Sequence, residues 1–198
     1  MTRIAIVTGT TRPGRKALTV AEWVREQAQS YASGVQDAVN AADPPTFEVV
    51  DLAGQALPLL DEPVPASLGD YQREHTRAWA EVVDSYDGFV FVTPEYNHGI
   101  PAALKNALDF VYAEWNNKAA GIVSYGANGG TRAAEQLRLV LAELQVADVR
   151  SQVCLSIFQD FHDGGGLRPG GHQVSALHGM LDQLLDWSRA LHGLRAAS

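Results

Sequence analysis

Five short apolar runs alternate with five stretches of helical spacing, and no other feature limits the possible folds of this chain as much. The runs are Ile4-Ala5-Ile6-Val7-Thr8, Phe47-Glu48-Val49-Val50, Phe89 to Thr93, Ala119 to Ser124 and Val149 to Ile157. Continuous apolar runs of this length suit strands covered on both faces. The helical stretches run from about Ala17 to Tyr31, Asp70 to Asp84, Pro101 to Glu114, Thr131 to Leu144 and Gln173 to Leu191. In the first of these, Val20, Trp23, Val24 and Ala28 share a side; in the third, Leu104, Ala107, Leu108 and Val111 do. Parallel strands need crossovers, so the alternation predicts an α/β fold: a parallel sheet with helices on both faces.

Five such units fit a flavodoxin-like three-layer sandwich with strand order 2-1-3-4-5. In that order the topological switch point lies between strands one and three, where ligands bind beyond the carboxyl ends of the strands. Residues Ser33 to Pro45 read as a surface connection and Asp51 to Ser67 as an irregular loop. No internal repeat and no linker divides the chain, so residues 1–198 read as one domain.

The charge balance, 15 basic against 23 acidic residues for a net −8, argues against nucleic acid or an anionic membrane as partner. It leaves room for a small anionic ligand held by a few local cations. The single Cys154 allows no intrachain disulfide, which fits a reducing compartment, and within V-C-L it reads as a small buried hydrophobe. The start, M-T-R and then a strand, shows no signal-peptide pattern. No apolar run reaches the roughly 18 residues of a membrane helix. The expectation is a soluble, cytoplasmic protein.

The stretch from Gly9 to Leu18, G-T-T-R-P-G-R-K-A-L, joins the first strand to the first helix. A phosphate needs N–H donors, hydroxyls and positive charge without crowding. A helix N-terminus supplies free N–H groups and a favourable dipole. Thr10, Thr11, Arg12, Arg15 and Lys16 supply the rest. The loop is neither G-x-x-x-x-G-K-[ST] nor G-x-G-x-x-G. The plainer reading is a solvated basic turn before a helix.

The third apolar run stops at Thr93-Pro94, and T-P-E-Y-N-H-G-I-P-A-A-L-K-N-A-L-D-F follows. Pro94 lacks an N–H and has a fixed φ, which stiffens the turn. Glu95 to Gly99 then offer N–H and C=O groups to a flat polar ring. The P-E-Y-N segment resembles the flavin loop of the NADPH-dependent FMN reductase family. Gly9 to Arg12 is similar to that family's G-S-x-R loop, with Thr10 keeping the hydroxyl of the usual serine. The resemblance runs from Ile4 to about Leu144, including P-L-L-D-E-P at Pro58 to Pro63, and weakens after Val149.

That resemblance implies FMN as cofactor and NADPH or NADH as co-substrate. The FMN phosphate is expected on Thr10, Arg12, Arg15, Lys16, Ala17 and Leu18, with Arg12 foremost; Arg15 and Lys16 have as alternatives the 2′-phosphate of NADPH or solvent. The isoalloxazine is expected along Pro94, Glu95, Tyr96 and Asn97 and against Ser124, Tyr125 and Gly126. Glu95 reads as a brace for the turn rather than a proton donor, and His98 as a turn residue rather than an acid–base group. Tyr96 is a candidate to stack on the flavin or on a neighbouring subunit, and Lys105 is a packing or ion-pair residue. Gly129-Gly130 and Arg132 either lie towards the nicotinamide nucleotide or form a glycine turn with Thr131 capping a helix. The implied reaction passes hydride from the nucleotide to FMN and on to a small-molecule acceptor: a flavin, a quinone, an azo dye or a metal ion. The flavin supplies this chemistry, so no side chain is named as catalytic. The alternatives are a flavodoxin-type FMN electron carrier and a flavin-free interaction protein. The family resemblance also implies a homodimer or homotetramer, with Trp79, Tyr112 and Trp115 either contact residues or core. His162 to Gly166 and Gly170 to His172 have no metal-binding spacing and read as a mobile loop, so no metal is expected.

Overall fold

A computed structural model of the chain describes residues 1–35, 44–162 and 166–195. The expected sheet is present. Strands β1 (Arg3–Thr8), β2 (Thr46–Asp51), β3 (Gly88–Pro94), β4 (Ala119–Gly126) and β5 (Ala147–Ser156) form one sheet in the order β2-β1-β3-β4-β5. Every neighbouring pair is parallel. The helices are α1 (Ala17–Val35), α2 (Leu52–Gln55), α3 (Glu74–Asp84), α4 (Ala102–Asp109), α5 (Thr131–Glu143) and α6 (Gly171–Arg195).

Side chains alternate across a strand, and β1 sorts them between two cores. Ala5 and Val7 join Phe89, Phe91 and Ile122 in a core closed by Trp79 and Val83 of α3, Leu104 and Leu108 of α4 and Leu137 and Leu141 of α5. Ile4 and Ile6 join Val90, Val92 and Val123 in a second core closed by Val20 and Val24 of α1 and Leu177, Met180, Leu181 and Leu184 of α6. The inner strands β1, β3 and β4 are therefore buried on both sides, which explains their unbroken apolar runs, while the edge strands β2 and β5 expose Glu48 and Arg150.

Several boundaries differ from the sequence expectation. The helix expected from Asp70 begins at Glu74, because the Glu62 carboxylate accepts the N–H groups of Gln72 and Arg73, both at 2.9 Å, and holds them outside the helix. The helix expected to reach Glu114 stops at Asp109. Tyr112 turns away there, donating its N–H to the Tyr71 hydroxyl at 3.1 Å, and Ala113–Trp115 forms a single 3-10 turn. The stretch expected as irregular between Asp51 and Ser67 contains α2 and a 3-10 turn at Ala66–Leu68. Most of the Ser33 to Pro45 connection lies outside the described residues, as does the Asp163-Gly164-Gly165 part of the late glycine loop.

Candidate functional site

The loops leaving β1, β3 and β4 meet beyond the carboxyl ends of their strands. The first begins where Gly9 donates its N–H to the Val92 carbonyl of β3 at 2.8 Å. Thr10 then turns inward and is 1% exposed. Its hydroxyl accepts the Arg12 N–H at 3.3 Å, and a turn closes from the Arg15 N–H to the Arg12 carbonyl at 3.1 Å. Arg12 stands exposed at the tip of this turn. Arg15 folds back and pairs with Asp51, the residue after the apolar part of β2. Burial alone would raise the Asp51 carboxyl. Hydrogen bonds from Thr8, Ala53 and Arg15, with the Arg15 charge, outweigh it and hold the group below its ordinary range. The Arg15 Nε is buried with no partner in the structure. Lys16 lies over the Phe161 ring, 5.0 Å from its centre.

The second loop is a tight hairpin. Tyr96 and Gly99 exchange N–H and C=O bonds at 3.0 and 3.1 Å around Asn97 and His98. Both central residues have positive φ, 51° and 70°, the conformation of a two-residue hairpin turn, which Asn tolerates better than most residues. The hairpin aims the Tyr96 hydroxyl back at the first loop, where it lies 3.0 Å from the Thr10 Oγ1. The Glu95 N–H donates to the Tyr125 carbonyl at 3.1 Å, joining this loop to the third. The Glu95 side chain is 8% exposed and paired with Arg132. Burial would raise its pKa, but the side-chain and main-chain bonds from Arg132, its charge and the Ala133 N–H carry it below the usual carboxylate range. Arg132 also bonds His98 Nε2 at 2.8 Å.

The third loop turns on Gly129 and Gly130, with φ of 68° and 70°. A Cβ at Gly130 would come within 2.7 Å of the Tyr125 nitrogen and 2.9 Å of its carbonyl oxygen, so only glycine permits this doubling back. Ser124 donates its hydroxyl to the Gly129 carbonyl at 2.7 Å and is fully buried. Tyr125 packs its ring against Phe161, and burial pushes its phenol well above the ordinary range.

Between the three loops lies an open cleft of about 360 Å³, walled by Arg12, Gly14, Arg15 and Lys16 on one side and by Pro94, Glu95, Tyr96, Tyr125, Gly126, Ala127 and Ile157 on the others. Arg12, Arg15, Lys16, Pro94, Glu95, Tyr96, Tyr125 and Gly126, all expected from the sequence, thus converge on one volume. The other expected residues sit differently. Thr10 lies beneath the floor, bonded to Tyr96. Ala17 is fully buried in the α1 core and does not line the cleft. Leu18 and Ser124 are not part of the wall, and Asn97 is exposed at the hairpin tip. Ile157 is a wall residue the sequence reading passed over, although its place just past the end of a parallel strand was a usable signal. Trp79 and Trp115 are 2% and 1% exposed and belong to the core; Tyr112 is half-buried at its edge. Lys105 pairs with Asp109 one turn along α4, as an ion-pair residue. Among the described residues no cluster of His, Cys, Asp or Glu could hold a metal, and no helix is long and apolar enough to cross a membrane.

The cleft has a volume within the range of small-molecule sites. Its character fits a phosphorylated flat ring: cations of the loop before α1 at one end, aromatic and backbone surface at the other. The unpartnered Arg15 Nε is the kind of donor an anionic ligand satisfies. Over residues 2–160 the chain matches the family described as NADPH-dependent FMN reductase. It is 39% identical over 160 residues to an NAD(P)H-dependent FMN reductase of Schizosaccharomyces pombe, covering 80% of this chain and 74% of that protein. A quinone reductase of Escherichia coli K12 is 33% identical over 111 residues, half of this chain and 58% of that protein. Among solved structures, the flavoenzyme NAD(P)H:(acceptor) oxidoreductase FerB of Paracoccus denitrificans superposes with a TM-score of 0.70 at 18% identity. That superposition covers 96% of this chain and 98% of that one, and it shows a shared fold.

Proposed function

The chain belongs to the NADPH-dependent FMN reductase family, and from that premise we propose that it is an NAD(P)H-dependent oxidoreductase holding FMN in the cleft beyond β1, β3 and β4. Its acceptor on this reading is a small flat molecule, a flavin or a quinone, as the names of its relatives suggest. The single observation that carries the proposal is the convergence of a cationic loop and a Pro94-Tyr96-Tyr125 wall on one open cleft.

FMN, when bound, supplies the redox chemistry, and the protein supplies placement and surroundings. Arg12 and Lys16, with the free N–H groups at the start of α1, would hold the phosphate. Arg15 stays tied to Asp51 and shapes the loop while offering its inner nitrogen. Pro94 and the main chain of Glu95 and Tyr96 would line the ring edge, with Tyr125 and Gly126 beside them. Glu95 holds no spare proton for catalysis, because its carboxyl is kept ionised by Arg132. The openness of the cleft fits successive visits by nucleotide and acceptor. The same reading has the protein act in the cytoplasm as a homodimer or homotetramer. Leu59 and Leu60, exposed on the segment that Asn106 pins through Pro58 and Leu60, are better contact candidates than the buried tryptophans.

The test is anaerobic: load the purified protein with FMN, add NADPH or NADH, and follow visible flavin absorbance. Rapid bleaching is expected. Bound flavin that stays yellow would replace the reductase with a carrier, and failure to bind FMN would end the reading altogether.

A further inference from the structure

Helix α5 begins without a cap of its own. Its N-cap is Gly130, in the left-handed region, and makes no side-chain bond. An uncapped helix start leaves main-chain N–H groups unsatisfied. Here the missing acceptor comes from 37 residues away: the Glu95 carboxylate takes the Arg132 N–H at 3.1 Å and also that of Ala133. The Arg132 guanidinium then closes on the same carboxylate, and its Nη1 bonds His98 Nε2 at 2.8 Å. One helical turn further on, Gln136 Oε1 accepts the Ile100 N–H at 2.7 Å. Arg132 and Gln136 are four residues apart and share a face of the helix.

The hairpin from Glu95 to Ile100 is therefore fastened to α5 at three points, Glu95, His98 and Ile100. These points flank Tyr96, whose hydroxyl meets Thr10 across the floor of the cleft. The Tyr96–Gly99 bonds close the turn itself, with two successive residues in left-handed conformations, and the bonds to α5 fix where that turn stands relative to the cleft. The Glu95 carboxylate, almost wholly enclosed, needs a cation, and Arg132 is the cation that reaches it.

We propose that Arg132 is a positioning residue for the flavin-edge hairpin, acting through Glu95 and His98. The assignment rests on FMN occupying the cleft. It adds a specific consequence: Arg132 sets how well the hairpin is preformed for FMN, and it has no preference between NADPH and NADH.

Three variants test it: Arg132→Ala, Arg132→Lys, and Glu95→Gln, the last serving if loss of Arg132 prevents folding. FMN affinity is read by quenching of flavin fluorescence, and turnover with each nucleotide at saturating FMN. Removing Arg132 is expected to raise the FMN Kd about tenfold, since affinity falls with the fraction of protein whose hairpin is docked. Lys keeps the charge on Glu95 but cannot fork to His98, so it should recover part of the loss. The ratio of kcat/KM for NADPH to that for NADH should not change. An unchanged FMN Kd in Arg132→Ala would overturn the proposal, as would a selective loss of NADPH turnover. Amide hydrogen exchange separates this failure from that of the cofactor reading. With no flavin present, the amides of Tyr96, Gly99 and Ile100 should exchange faster in Arg132→Ala and Glu95→Gln than in the parent. Equal exchange sinks the clamp whether or not FMN binds.

Discussion

Lys118 sits at the opposite end of the sheet from the cleft, immediately before β4, and is 2% exposed. Its ammonium donates to the Val83 carbonyl at 2.8 Å and the Asp84 carbonyl at 3.3 Å, the C-terminal end of α3. Burial pulls its pKa from 10.5 down to about 8, with the nearby Asp84, Asp87 and Glu114 opposing that and Arg195 adding to it. The sign of the resulting pH dependence follows directly. Below pH 8 the lysine is charged in both the folded and the unfolded chain, and burial of that charge weakens the fold. Between pH 8 and 10.5 the unfolded chain keeps the proton that the folded one has released, so stability rises with pH. Above 10.5 both are neutral and the gain is complete. The separation of the two values is worth about 3 kcal/mol. Lys118→Met, an apolar side chain of similar length, should abolish this gain. Urea unfolding of both proteins at intervals from pH 7 to 10.5 gives the difference between them, in which the titration of the buried tyrosines cancels. The parent is expected to gain about 3 kcal/mol on the variant across that range. A difference flat to within about 0.5 kcal/mol, near the precision of such extrapolations, would refute the reasoning. FMN affinity should be the same in both, because Lys118 does not approach the cleft.

Two further outcomes concern the loops. Gly130→Ala places a Cβ against the Tyr125 main chain in a left-handed turn, and should destabilise the protein by about 2 kcal/mol or more in urea unfolding. Arg12→Ala, at the exposed tip of the first loop, should raise the FMN Kd by about tenfold at low salt and by less at high salt, since exposed charge contacts are screened. A loss independent of ionic strength would show that Arg12 shapes the loop instead of meeting the phosphate.

The hairpin and the first loop show where reading along the chain reached its limit. In the sequence Arg12 stands foremost for a phosphate, with Thr10, Arg15 and Lys16 beside it and nothing local to separate Arg15 from Lys16. Their fates diverge because Asp51, 36 residues beyond Arg15, ends β2 beside the same loop and captures one guanidinium. The sequence left Arg132 open between the nucleotide side and a glycine turn, and gave no sign of its pairing with Glu95. Ser124 has the right address, but strand alternation turns its hydroxyl inward to the Gly129 carbonyl. The early end of α4 depends likewise on a remote group, the Tyr71 hydroxyl.

Periodicity by itself determined the layer structure, because a strand buried on both faces must be apolar throughout and parallel neighbours require helices between them. Five units fitted the strand order without compelling it, and the position of the site followed from that order, since loops at a switch point diverge and leave a crevice. These are properties of local segments and of chain connectivity. Which cations remain free for a ligand, which hydroxyls face the cleft, and what holds a strained hairpin in place were decided by tertiary structure alone. The Thr10–Tyr96, Arg15–Asp51 and Glu95–Arg132 pairs each join residues at least 36 apart, and charges and buried donors choose partners by distance in space, which no local pattern encodes.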